Sequence, residues 1–199
     1  MKPTRNLCVY CGSGPGKQPA YMAAARTLGK ALADNGIGLV YGGGSMGLMG
    51  ETARTVLENG GHVTGIIPEF LTQKERMLTD VQELIVTTTM HERKLTMFEK
   101  SDGFIVLPGG LGTLEELSEV STWAQLDQHT KPIIICNIDG YWEPLLTLFS
   151  HMREEQFIRP GLDFKFDVVN QAAQAVPAFL DRIANMRQTV PVKPVRQTM

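Results

Sequence analysis

Short apolar runs alternate along this chain with longer segments in which apolar residues recur at three- and four-residue intervals, about six times over. The runs predict strands at Leu7–Tyr10, Gly38–Tyr41, His62–Ile66, Glu83–Val86, Phe104–Leu107 and Pro132–Cys136. The segments between them predict helices at Gln18–Asp34, Gly47–Glu58, Met90–Lys100, Thr113–Leu126 and Trp142–Glu155, with a last one at Gln171–Met186. Strands that are apolar throughout and separated by helices form a parallel sheet covered on both faces. The pattern therefore predicts an α/β, Rossmann-like, doubly wound fold.

With 43% apolar residues in 199, the chain can bury one sizeable core, and no linker-like break divides it. Residues 1–187 are read as a single domain and 188–199, with two prolines and little apolar periodicity, as a flexible tail. The net charge of −2 is spread over interspersed acids and bases, with no footprint for nucleic acid or an anionic membrane. The expected partner is a small molecule. No apolar run reaches bilayer length, the start leads straight into a strand, and three cysteines cannot close a disulfide set. These features point to the cytoplasm. Cys8 and Cys11 form a C-x-x-C, but they straddle the end of a strand, whereas a redox pair needs its first sulfur at a helix N-terminus.

Three strands run into glycine-rich turns: GSGPGK at 12–17, GGGSMG at 42–47 and PGGLGT at 108–113. In a parallel sheet such turns border the crevice where ligands bind. The first turn fails as a phosphate-binding P-loop, being one residue short before Lys17 and having Gln18 in place of the hydroxyl. Gly42, Gly44 and Gly47 of the second form a literal G-x-G-x-x-G with Glu69 as a ribose partner, which leaves an NAD(P)-binding protein as a rival. In the third, Gly109, Gly110 and Gly112 let a ligand approach the backbone, and the following helix offers its amides to an anion. Thr113-Leu-Glu-Glu116 reads equally well as a capping box that would satisfy the same amides.

On the helix after that turn, Glu116 shares a row with Val120 and Trp123, whereas Glu115 points roughly 100° away, toward Glu119. Glu116 is the carboxylate placed for a covered site, where it could face a sugar carbon becoming cationic. The upstream helix carries Met90, Met97 and Phe98 on one face, with Arg93 and Lys94 beside it and Glu92 and Glu99 opposite. Arg93 suits a phosphate or Glu116 and should hold that carboxylate ionised; Lys94 fits either ligand binding or snorkelling along a core helix. His91 points away from the apolar row, and His62, His129 and His151 lack metal-ligand spacing, so no metal is expected.

The blocks MHERK at 90–94 and PGGLGTLEE at 108–116 together resemble the paired signature of the LONELY GUY (LOG) proteins, phosphoribohydrolases of cytokinin riboside 5′-monophosphates. YGGGSMGLMG, HVTGIIP, STWAQL and NIDGYWEPLL extend the resemblance over nearly the whole chain. It implies hydrolysis of the N-glycosidic bond of nucleoside 5′-monophosphates, AMP and N6-isopentenyl-AMP among them, with no cofactor and a homodimeric assembly. By motif position it implies Arg93 and Glu116 as the catalytic pair. Met90, Lys94, Pro108, Gly109, Gly110, Leu111, Gly112, Thr113, Leu114 and Glu115 would line the nucleotide, with Glu75 and Thr122 as further contacts. Leu111 stands where many members carry tyrosine. The family has also carried the label lysine decarboxylase, yet no motif for a pyridoxal phosphate Schiff-base lysine is present. A nucleotide carrier or sensor without hydrolysis is the non-enzymatic alternative.

Overall fold

The computed structural model describes residues 3–72, 77–159, 161 and 163–189. Seven parallel strands form one sheet in the order β4-β3-β2-β1-β5-β6-β7. The strands are β1 (Arg5–Tyr10), β2 (Ile37–Tyr41), β3 (Val63–Pro68), β4 (Glu83–Thr87), β5 (Gly103–Val106), β6 (Ile133–Cys136) and β7 (Asp167–Val169). The helices are α1 (Pro19–Asp34), α2 (Gly47–Glu58), α3 (Glu69–Thr72), α4 (Met90–Glu99), α5 (Leu111–Gln125), α6 (Glu143–Glu154) and α7 (Ala175–Thr189).

Alternation along the strands builds two apolar layers. Leu7, Val9, Leu39, Tyr41, Ile105 and Ile134 pack toward α1, α2 and α7. Cys8, Tyr10, Val40, Phe104, Val106 and Ile135 face the opposite way, onto Met97 of α4 and Leu117 and Val120 of α5. Strand order reverses between β1 and β5, so their carboxyl ends flank the crevice where ligands bind in this architecture.

The six expected strands are present, each within two residues of its expected limits. Two elements lie outside the sequence reading. The edge strand β7 has three residues and no fully buried position, so it leaves no apolar run to detect. The single turn α3 buries nothing. The last helix was expected from Gln171, but the chain first makes a 3-10 turn at Ala172–Gln174 closed by a Gln171–Gln174 capping box, and only then becomes α-helical. The region expected as a tail lies outside the described residues from 190 onward. No helix among the described residues is long and apolar enough to cross a membrane.

Candidate active site

The three glycine turns meet at Gly12. Its amide donates to the Pro108 carbonyl at 3.0 Å, and its own carbonyl accepts from the amides of Leu48 (3.1 Å) and Met49 (3.3 Å) at the start of α2. A side chain there would press on Gly14 O and Gly109 Cα. This arrangement decides between the two helix N-termini. At α2 the amides of Leu48 and Met49 are already taken, so G-x-G-x-x-G at 42–47 does not present them to a pyrophosphate, and the NAD(P) reading loses most of its cradle.

At α5 the amides are open. The helix begins at Leu111 with Gly110 as its N-cap, two residues before the start read from sequence, and no side chain caps it. The capping-box reading of Thr113 and Glu116 is therefore corrected: Thr113 lies in the third helical position, too far inside to be a cap. Its side chain folds back on Gly109, where a Cβ would sit 2.1 Å from Thr113 Oγ1, so glycine is required by that close approach. Gly110 and Gly112 border open space. Among the described residues nothing accepts from the amides of Leu111, Gly112 or Thr113. Three free N–H groups at the positive end of a helix dipole make an anion site.

A true N-terminal cap lies upstream, on α4. Thr89 accepts from the Glu92 amide at 3.1 Å, and Glu92 accepts from the Thr88 amide at 2.7 Å. That cap orients α4 so that Arg93 and Lys94 turn inward, 8% and 9% exposed, while His91 and Glu92 face solvent. The Arg93 fork is held by the ends of two strands: Nε donates to the Ile66 carbonyl of β3 at 3.1 Å and Nη2 to the Gly42 carbonyl after β2 at 3.3 Å. Nη1 contacts Met90 Sδ at 3.4 Å and points at Glu116 Oε1, 4.0 Å away. Gly42 is thus the floor on which the guanidinium lies, since a Cβ at that position would come 2.1 Å from Nη2. Gly42→Ala is expected to leave the fold intact while displacing the arginine and lowering kcat/KM about 100-fold, as comparable misplacements do. Steady-state kinetics beside a melting curve check it, and unchanged kinetics would contradict this placement.

Glu116, with a side chain 13% exposed, has the nearby Arg93 at 4.0 Å, beyond hydrogen-bond length. Burial pushes its carboxyl up to about 7; Arg93 and Lys94 pull it down, and Glu115 and Glu119 push it up again. Arg93 does favour the ionised carboxylate, as expected from its charge, but desolvation outweighs it and leaves Glu116 poised near neutrality. Glu115, half exposed, lies on the outer side of α5 and pairs with Lys94 at 2.5 Å.

The structure brings together Arg93, Glu116, Met90, Pro108, Gly109, Gly110, Gly112 and Thr113. Leu111 is 82% exposed at the rim, and Leu114 is half-buried on the first turn of α5. Thr122 is exposed well along the helix, its hydroxyl donating to the Ser118 carbonyl at 2.7 Å. It is not drawn to the cradle. Glu75 lies outside the described residues. Two contributions escape the sequence reading: the role of Gly12 as the junction of the three turns, and Tyr141 after β6, whose hydroxyl donates to the Gly109 carbonyl at 2.5 Å and whose ring meets Tyr21 edge-on. The glycine after β1 could have pointed to the first; nothing local marks the second. The C-x-x-C is settled as core, since burial pushes the Cys8 and Cys11 thiols up, away from the reactive thiolate.

A family model described as "Possible lysine decarboxylase" matches residues 49–179. The chemistry of that description finds no support here: Lys94, the buried lysine of the site helices, is bound by two carboxylates and is no free amine for a Schiff base. Cytokinin riboside 5′-monophosphate phosphoribohydrolase LOG3 of Arabidopsis thaliana is 50% identical over 156 residues, 78% of this chain and 73% of its own length. Cytokinin riboside 5′-monophosphate phosphoribohydrolase LOG of Oryza sativa subsp. japonica is 49% identical over 154 residues, 77% of this chain and 64% of its own. Among solved structures, the Moco carrier protein from Chlamydomonas reinhardtii is similar with a TM-score of 0.67 at 25% identity, over 93% of this chain and 99% of that one. The molybdenum cofactor binding protein from Rippkaea orientalis is similar at 0.66 and 25%, over 92% and 98%. The arginine, the glutamate and the open helix start fall within the two signature blocks, and the identity to the plant proteins runs through most of the chain. It belongs to the LONELY GUY (LOG) family.

Proposed function

We propose that this protein is a phosphoribohydrolase that cleaves the N-glycosidic bond of cytokinin riboside 5′-monophosphates, and of AMP, to free base and ribose 5-phosphate. The observation that carries the reading is the buried Glu116 carboxylate facing Arg93 beside three unclaimed helix amides. The 5′-phosphate occupies the amides of Leu111, Gly112 and Thr113, and the ribose then extends toward Glu116. As the bond from C1′ to the base nitrogen breaks, its electron pair leaves with the base and positive charge builds on the sugar. The ionised Glu116 lowers that barrier electrostatically. Water supplies the oxygen that bonds to C1′, and its proton balances the charge on the departing base.

Because only the carboxylate form of Glu116 can do this, kcat/KM is expected to rise with pH through an apparent pKa near 7. A profile flat from about pH 6 to 8.5 would remove the ionised carboxylate from the reaction.

The reading includes a homodimer, supported by the exposed apolar side chains of Leu95 on α4 and Leu111 on α5, the two helices that carry the site. It places the protein in the cytoplasm, consistent with three free, buried cysteines. The likeness to two molybdenum cofactor proteins keeps a carrier as the second reading. A carrier would use the same amides but needs no carboxylate at Glu116, so nucleotide binding without base release by the wild-type protein would select it.

A further inference from the structure

Arg93 and Lys94 are consecutive on α4, and Glu116 and Glu115 are consecutive on α5, so the two helices face each other through two cation and carboxylate rungs. The inner rung is open at 4.0 Å. The outer rung is closed, with Lys94 Nζ donating to Glu115 Oε1 at 2.5 Å and to Glu119 Oε1 at 3.0 Å. The resemblance alone makes Lys94 a nucleotide contact. Two carboxylates on its ammonium argue otherwise, because they would oppose a phosphate brought to the same cation.

We propose that Lys94 is a positioning residue: by bridging Glu115 and Glu119 it ties α5 to α4 beside the catalytic pair and screens Glu116 from its two acidic neighbours. The proposal rests on the phosphoribohydrolase reading for its effect on catalysis, but the tie itself does not. The groups facing Glu116 are few. From α4 come Arg93 and Lys94, and from α5 Glu115 and Glu119. From β1 and the turn after it come Cys8, Tyr10 and Cys11, each pushed up by burial and so neutral around pH 7. Two cations therefore balance two carboxylates around Glu116. Burial works against the charge on Lys94 itself, but its hydrogen bonds to Glu115 and Glu119 prevail and the ammonium is held up. Without it, the carboxylates at 115 and 119 stand unscreened near Glu116, and ionisation of Glu116 becomes harder.

The test is the carbon-13 titration of the Glu116 carboxyl in substrate-free Lys94→Met, read beside the pH profile of kcat/KM. The expected result is a midpoint raised by about one pH unit, with kcat/KM down about fivefold at pH 7 and near wild type at pH 9. In the triple variant Lys94→Met, Glu115→Gln, Glu119→Gln the midpoint returns to the wild-type position, a rescue that a phosphate ligand would not show. That variant leaves no unpaired charge, so it carries the test if the single change does not fold. An unmoved midpoint in Lys94→Met with a raised KM would overturn the proposal and make Lys94 a substrate contact. Failure of the triple variant to restore the midpoint would overturn it as well. The titration needs no turnover, so loss of the hydrolase reading would show separately, as a wild-type protein that releases no base.

Discussion

Replacing Glu116 by glutamine is expected to lower kcat about 1000-fold while leaving the Kd for nucleoside monophosphate within about threefold of wild type. In the proposed reading the phosphate lies on the backbone amides at the start of α5, where no side chain caps the helix and which the substitution does not touch, whereas the charge that would meet the developing cation is gone. The same change should stabilise the fold. Glu116 has its folded pKa raised to about 7 from 4.5, so the folded state binds more protons than the unfolded state across that window. Stability from this group is fully present below about 4.5 and is lost as pH rises through 7, up to about 3 kcal/mol for a shift of this size. Glutamine carries no such penalty, so the variant should melt several degrees higher at pH 8 and show little gain at pH 4.5. A variant that loses both activity and stability at pH 8 would mark Glu116 as a structural residue.

Arg93 should behave in the opposite way, losing stability and activity together. Arg93→Met strips the Ile66 and Gly42 carbonyls of their donors in a buried setting, a cost of about 3 kcal/mol. It also removes the cation that partly offsets the desolvation of Glu116, so the pH profile should move to higher pH as kcat/KM at pH 7 falls about 100-fold or more. Arg93→Lys keeps a charge but cannot reach two strand ends with one fork, and an intermediate loss is expected. Thermal melts and pH profiles of the two variants separate these effects. Full activity in Arg93→Met would confine the residue to holding β2 and β3 together.

Most of the fold was legible because the central strands are buried on both faces and so write continuous apolar runs, as LCVY and FIVL do. The edge strand β7 escaped because three half-covered residues produce no such run. In the site, the covered position of Glu116 and the inward face of Arg93 followed from helical period alone. Three things did not follow. The start of α5 at Leu111 depends on Gly110 taking an extended backbone, which opens the anion site instead of closing it with Thr113. The filling of the α2 amides depends on Gly12, distant in sequence from Leu48 and Met49. The upward shift of Glu116 depends on how deeply the sheet buries it, which no local pattern of charges contains.

In the proposed mechanism, a buried carboxylate beside an open helix start promotes breakage of the bond between ribose and base. The most direct measurement incubates the purified protein with N6-isopentenyl-AMP and, separately, with AMP, and follows free base by chromatography, with Glu116→Gln as control. Wild-type protein is expected to release free base and ribose 5-phosphate from both substrates, and the variant almost none. Bound nucleotide that stays intact with wild-type protein, or equal release by the variant, would contradict the mechanism.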